Sequence, residues 1–268
     1  MSAFSGAKEE ATVEADPIFQ PIEFPYLTVK NRVWRSSMSG RFDNYDGSGT
    51  PVRVNWEERF ARAGVGAIIS SFVPVSLRGS HVPNFAVIDD DDKIPFWRTV
   101  GERVHAHDCR FIMQLNHCGR QQDIRGVINY NRPALSSTDR PDPLNGFPTR
   151  AMTTAEVQET VQEFVNAARR AYEAGLDGIE LHGANGYLIT QFLSSAINDR
   201  SDRYGGPLEN RARFLLEIIG GIREQVSEEW HLQVKINAED RADALFFWHP
   251  PGNTLADAVR LAQMLEEA

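Results

Sequence analysis

Residues 154–182 read TAEVQETVQEFVNAARRAYEAGLDGIELH, and this stretch decides the fold. Its first part carries apolar residues at helical spacing and predicts a helix over about Thr154–Ala174. Thr153 or Thr154 can cap it, and Glu156 falls in the first turn, where a negative charge meets the positive end of the helix dipole. Gly175 ends the helix, and Asp177–His182 reads as a strand directly afterwards. A helix feeding a strand across a single glycine turn is one step of a repeating α/β architecture.

The same alternation extends in both directions. Before this unit come a strand at Arg32–Ser39, a helix at Val52–Ala63, a strand at Gly66–Val73, a helix near Pro95–His107 and a strand at Arg110–Asn116. After it come a helix over Leu208–Gln225, a strand at Leu232–Asn237 and a last helix from Thr254, capped by Asn253 or Thr254, to Ala268. A long insertion rich in Pro, Asn, Asp and Arg runs from His117 to about Arg150, and a loop of that length is usually functional. Five strands each precede a helix. The expected class is α/β, a TIM (β/α)8 barrel that is incomplete, with about five of its eight strand–helix units present. An open five-stranded sheet would expose apolar surface and unpaired backbone at its edges, so a truncated or split barrel is expected.

Composition narrows the function classes. The 268 residues are 41% apolar and 24% charged, an ordinary globular balance able to bury a substantial core. The net charge of −9 argues against nucleic acid and anionic membranes as partners, because both need a basic face. Cys109 and Cys118 form neither a C-x-x-C pair nor a disulfide framework, which fits a reducing cytoplasm. No apolar run reaches membrane-spanning length and no signal-peptide pattern is visible. Residues 1–16 read as a flexible tail, with the partial barrel over 17–268.

In such a barrel the reactive groups lie at the C-terminal ends of the strands. That rule selects Ser37, Met38 and Ser39 after strand one, and Gln114, Asn116, His117 and Arg120 after strand three. It adds His182, Asn185 and Tyr187 after strand four, and Lys235 on strand five. Each has a plain alternative. His117 and His182, taken singly, are more often satisfied structural histidines. Gln114, in the apolar strand Phe111–Leu115, either braces neighbouring backbone or holds a polar ligand. Lys235, between Val234 and Ile236, is expected to be buried and therefore to pair with a carboxylate or face an anionic ligand. Tyr187 can be simple packing. Other patterns carry little. Asp43–Gly47 has the wrong spacing for a calcium loop and reads as a turn. There is no G-x-G-x-x-G, P-loop, zinc-ligand spacing or G-x-S-x-G elbow, and Gly205-Gly206 reads as a tight turn before a helix.

Gln114-Leu115-Asn116-His117-Cys118-Gly119-Arg120 resembles the Q-L-x-H-x-G-R signature of NAD(P)H:flavin oxidoreductases of the old yellow enzyme superfamily. The segment from Ala174 to Phe214 is similar throughout, most specifically in H-G-A-N-G-Y-L and N-D-R-S-D-R-Y-G-G-P-L-E-N-R, and Asn31–Ser39 is similar to the first-strand motif. The likeness runs from about residue 17 to the end. It is greatest to the branch that contains bacterial 2,4-dienoyl-CoA reductase and trimethylamine dehydrogenase. The resemblance implies an FMN across the barrel mouth, with NADH or NADPH as electron donor. Gln114 would bond the polar edge of the flavin ring, Lys235 would stand near its N1–C2 carbonyl region, and Ser37, Met38 and Ser39 would line it. It also implies that His182 and Asn185 grip the carbonyl oxygen of a small activated alkene and that Tyr187 delivers a proton after hydride transfer from flavin N5.

Two departures qualify that expectation. Phe72 stands where the family usually has a small residue close to the flavin. The three remaining strands, which in the family supply the flavin phosphate grip, are not in the chain. Two function classes therefore stand. One is an FMN-dependent ene-reductase or NADH oxidase, active only if another chain (a complementing C-terminal half or a homo-oligomer) supplies the missing part or if the sequence is a fragment. The other is a non-enzymatic remnant or interaction module.

Overall fold

The computed structural model describes residues 16–80, 83–122, 132–241 and 251–268. The tail expected over residues 1–16 falls, but for Asp16, outside the described residues, as do 123–131 of the long insertion. The chain enters through an antiparallel hairpin, β1 (Ile22–Phe24) and β2 (Leu27–Val29). Then come β3 (Trp34–Arg35), α1 (Pro51–Arg62), β4 (Ala67–Ile69), β5 (Val73–Pro74), α2 (Ile94–His105) and β6 (Arg110–Asn116). The insertion contributes β7 (Ala134–Ser136) and β8 (Thr149–Ala151), which pair in parallel. The remainder is α3 (Thr154–Glu173), β9 (Gly178–Gly183), α4 (Leu188–Leu193), α5 (Leu208–Gln225), β10 (His231–Ile236) and α6 (Leu255–Glu266).

The main sheet is parallel, in the order β10-β9-β6-β4-β3, with β5 adding to the far end of β6. This is sequential βα winding, the arrangement of a barrel wall, and β4 with β5 together make its second stave. Five staves are present among the described residues, as the sequence predicts, and β3 and β10 are the edges of the described sheet.

Local signals account for the helices. Thr153 caps α3 in a full capping box, its hydroxyl accepting from the Glu156 N–H at 3.2 Å while the Glu156 carboxylate accepts from the Thr153 N–H at 2.8 Å. Thr254 and Asp257 repeat the device on α6. Pro51 opens α1, where a missing N–H costs nothing. Gly175, at φ +79°, turns the chain from α3 towards β9.

Strand alternation then divides the sheet into two faces. Phe111, Met113 and Leu115 on β6 and Ile179 and Leu181 on β9 point outward into one core with Phe164, Phe214, Ile218 and Ile222 of the helices. Each such buried side chain stabilises the fold by about 1.5–3 kcal/mol. The inner face starts apolar at one end, where Ile69 and Ile112 meet Leu27 and Val29 of the hairpin. Further along the same strands it turns polar.

Three expectations are corrected. Strand one is two residues long rather than eight. Asn31 ties the preceding turn by accepting from the Val33 N–H and donating to the Gly64 carbonyl, and beyond Arg35 the chain leaves the sheet. Strand two is interrupted at Ser70–Phe72. Lys235 is exposed, not buried, because it lies on the inner face of an edge strand.

Candidate active site

The inner face is built by register. Gln114 of β6 lies beside Glu180 of β9, and Glu180 beside Gln233 of β10. Their side chains form a continuous relay. The Ser37 hydroxyl donates to Gln114 Oε1 at 2.9 Å, Gln114 Nε2 donates to Glu180 Oε1 at 2.5 Å, and Gln233 Nε2 donates to Glu180 Oε2 at 2.5 Å. Gln114 is fully buried and Glu180 nearly so. Gln114 therefore braces neighbouring side chains rather than backbone, and one of its amide hydrogens is left for a further partner. Glu180 was not among the residues singled out from the sequence. The alternation Ile179-Glu180-Leu181-His182, with both polar residues on one face, was the signal for it.

One step further along the strands, His182 of β9 pairs in register with Lys235 of β10. His182 is 4% exposed, and its Nδ1 is buried without a hydrogen-bond partner. Burial, reinforced by the Lys235 charge, pushes its imidazole down to about 3, so it is neutral at ordinary pH. The Lys235 ammonium is exposed, and no described residue forms an ion pair with it.

Tyr187 caps the start of α4, and its ring meets the His182 ring edge-on at 5.0 Å between centroids. Burial, with Cys118 close by, raises the Tyr187 phenol above its ordinary value, so it remains a proton donor. Asn185 is exposed in the turn between β9 and α4 at φ +61°, a conformation asparagine tolerates better than most residues. Its N–H donates to Asn237 Oδ1 at 3.3 Å. Ser37 joins the relay, whereas Met38 and Ser39 beyond it are exposed.

Beyond Gln114, the Q-L-x-H-x-G-R segment is fastened into the scaffold. Burial beside Arg78 pushes the His117 imidazole down to about 3, and its Nδ1 accepts from the Gly119 N–H at 3.0 Å. Gly119 has φ +59°, and a Cβ there would stand 2.1 Å from Gln191 Oε1. Gln191, on the short α4 that sequence periodicity did not reveal, fastens this segment. Its Oε1 accepts from the Arg120 N–H at 3.1 Å and the Ser136 hydroxyl at 2.9 Å, and its Nε2 donates to the carbonyls of Cys118 and Gly186. The turn carrying Asn185 and Tyr187 is thus locked to the end of β6.

Asp43, in the stretch read as a turn, is buried and accepts from Arg53 Nη2 at 2.5 Å. Among the described residues no group of three or more His, Cys, Asp or Glu side chains converges to hold a metal. Neither thiol is activated. Burial pushes Cys109 up to about 12 and Cys118 well above its usual value.

A flat heteroaromatic ring with donors and acceptors on its edge fits these groups. Gln114 has a spare amide hydrogen for such an edge, the Lys235 cation can balance charge on it, and the Nδ1 of His182 is left for a separate partner. A parallel βα wall with a polar inner face at the strand ends defines a barrel enzyme site. The chain belongs to the NADH:flavin oxidoreductase / NADH oxidase family, whose model matches residues 17–259. It is 38% identical over 245 residues to an NADH oxidase of Thermoanaerobacter brockii, covering 90% of this chain and 36% of that protein. Its fold superposes on an old yellow enzyme homologue from Zymomonas mobilis with TM-score 0.75 and 27% identity, over 84% of this chain and 64% of that one. On a 2-naphthoyl-CoA reductase complexed with 2-naphthoyl-CoA the TM-score is 0.88 at 27% identity, over 94% of this chain and 39% of that one. The chain therefore spans roughly one third to two thirds of the length of these relatives, and the old yellow enzyme likeness read from the sequence holds. Among the described residues no helix is long and apolar enough to cross a membrane.

Proposed function

We propose that residues 17–268 form the flavin-facing wall of an FMN-dependent NAD(P)H oxidoreductase that reduces small activated alkenes. The observation that carries this reading is the buried, neutral His182 with an unpartnered Nδ1, set edge-on to Tyr187 and beside the Lys235 cation.

Gln114 would bond the polar edge of the flavin, Ser37, Met38 and Ser39 would line it, and Lys235 would offset negative charge on it. The flavin, when bound, supplies the hydride, with NADH or NADPH as the electron source. His182 and Asn185 donate hydrogen bonds to the carbonyl oxygen of the acceptor. This withdraws charge from the conjugated double bond and stabilises the enolate oxygen as it develops. A neutral imidazole suits this task, since it donates without surrendering a proton. Tyr187, held protonated by burial, gives its proton to the α-carbon.

Tyr187→Phe tests the assignment. Alkene reduction slows by about 10²–10⁴-fold, the range of a general acid, while reduction of the flavin by NAD(P)H persists. Equal loss in both half-reactions removes Tyr187 as the proton donor. Absorbance of the purified chain tests the reading as a whole: a yellow protein supports it, and a colourless one that does not quench FMN fluorescence refutes it for the isolated chain.

The position of β3 and β10 at the edges of the described sheet favours a second reading. Here the site is completed by pairing with further βα units, in a homo-oligomer or a complementing C-terminal half. The two buried, free cysteines, Cys109 and Cys118, favour a reducing compartment such as the cytoplasm.

A further inference from the structure

Asn185 is held in a conformation that its own backbone does not favour. Its φ of +61° lies in the left-handed region, which a non-glycine residue keeps only where its surroundings enforce it. Two hydrogen bonds do so, one on each side of the residue. Its N–H donates to Asn237 Oδ1 at 3.3 Å, and its carbonyl accepts from Gln121 Nε2 at 3.2 Å. The turn after β9 is thus fastened to the residue that follows β10.

Asn237 is itself held in one orientation. Its Nδ2 donates to Asp240 Oδ1 at 3.2 Å. A carboxylate only accepts, so Asp240 keeps the amide nitrogen of Asn237 on its own side and leaves the amide oxygen for the Asn185 N–H. Asp240 is fixed in turn by Asn253, across the base of the loop between β10 and α6. Its N–H donates to the Asn253 carbonyl at 2.9 Å, and its Oδ2 accepts from the Asn253 N–H at 3.2 Å. The Asn253 side chain is anchored at both atoms. Its Oδ1 accepts from Arg211 Nη2 at 2.9 Å and from the Ser195 N–H at 3.2 Å, and its Nδ2 donates to the Leu193 carbonyl at 3.0 Å. Arg211 on α5, 8% exposed, donates through Nε to the same Leu193 carbonyl at 2.7 Å. The bonds run in one line, Arg211–Asn253–Asp240–Asn237–Asn185, from the helical layer to the barrel mouth. A network that served only to close the loop between β10 and α6 would be complete at Asp240. Asn237 carries it on to the turn of a different strand.

We propose that Asn237, oriented by Asp240, is a positioning residue that holds Asn185 where its side chain meets the carbonyl oxygen of the acceptor. The proposal rests on the assignment of Asn185 to that oxygen. Without Asn237 one side of the strained residue is released, and the turn relaxes towards conformations that place the Asn185 amide elsewhere. The turn must then be ordered again each time the acceptor binds, which weakens binding.

The test compares cyclohex-2-enone with cyclohexene, which lacks the carbonyl. Both are titrated into the full 268-residue chain with FMN present and followed by ligand-observed NMR. Asn185→Gly removes the side chain but keeps the left-handed turn accessible. It weakens cyclohexenone binding about three- to tenfold, the range of one hydrogen bond. Asn237→Ala produces a loss of the same order and leaves cyclohexene binding unchanged, which a general loosening of the site would not do. The double variant binds cyclohexenone as Asn185→Gly alone does, because the two residues act as one. Should the alanine variant lose its cooperative urea transition, Asn237→Ser is read in the same way. Wild-type affinity for cyclohexenone in Asn237→Ala, with Asn185→Gly impaired, overturns the positioning role and leaves the acceptor reading standing. Losses that multiply in the double variant overturn it as well, since Asn237 then acts by another route. An Asn185→Gly chain that binds cyclohexenone as the wild type does sinks the acceptor reading, and the proposal with it.

Discussion

Glu180 sets the orientation of Gln114, and Glu180→Gln is the substitution that reveals it. In the native relay the carboxylate accepts from Gln114 and from Gln233 at 2.5 Å each, which forces the Gln114 carbonyl towards Ser37. A glutamine at 180 has the same size but can accept from only one of the two amides. The least costly rearrangement keeps the Gln233 bond, flips the Gln114 amide and has Ser37 accept instead of donate. Every bond is then remade without the charge. A bond to a charged acceptor contributes about 1.5–3 kcal/mol and a neutral one about 0.5–1.5, so two such exchanges cost stability about 2 kcal/mol. The flip also turns the wrong end of Gln114 to any ligand at the barrel mouth. A mismatched buried polar contact costs about 1–3 kcal/mol, a five- to 150-fold loss of flavin affinity. Urea unfolding followed by tryptophan fluorescence reads the first quantity and quenching of FMN fluorescence the second. Flavin affinity within twofold of wild type, in a variant destabilised as expected, would refute the idea that Glu180 orients the amide.

Stability falls as the medium is acidified, in two stages. His117 and His182 are held down to about 3 from an ordinary 6.5, so between those values the unfolded chain binds protons that the folded chain refuses, and stability is lost as pH drops through that window. Glu156 and Asp202, held at about 2 by Arg150 and Arg200, add a smaller, solvent-screened loss below about pH 4. Urea midpoints at pH 7.5, 5.5 and 4 check this, and a flat profile contradicts buried neutral histidines. Cys109 and Cys118 remain unreactive towards a thiol-specific disulfide reagent in the folded chain, and both react in urea. A thiol titrating within minutes in the native protein would contradict their burial.

Where local chemistry determines structure, the sequence was sufficient. β6 and α5 have the bounds read from periodicity, and the Thr153–Glu156 box fixes the start of α3. Non-local pairing was not legible in the same way. Asp43 looks like a turn residue until Arg53 of α1 reaches it, and only then does its burial make sense. The six residues of α4 are too few for periodicity to show, yet Gln191 on them fastens the turn that carries Asn185 and Tyr187. Lys235 was misjudged because flanking apolar residues report only the outer face of a strand. Its own exposure depends on what lies beside β10.

The position of the site follows from a change along single strands. If the inner face served packing alone, it would stay apolar throughout, as it is where Ile69 and Ile112 meet the hairpin. Instead, two residues past Ile112 it becomes Gln114, and on the neighbouring strands it carries Glu180 and His182, then Gln233 and Lys235. The buried ones, Gln114, Glu180 and His182, weaken the core relative to a leucine of similar volume through desolvation, which the relay offsets in part for the first two. His182 Nδ1 is left without a partner altogether. A fold that tolerates such cost at one end of its sheet and avoids it at the other marks the level at which packing gives way to chemistry, and that level coincides with the strand ends where Phe72, Cys118 and Tyr187 gather.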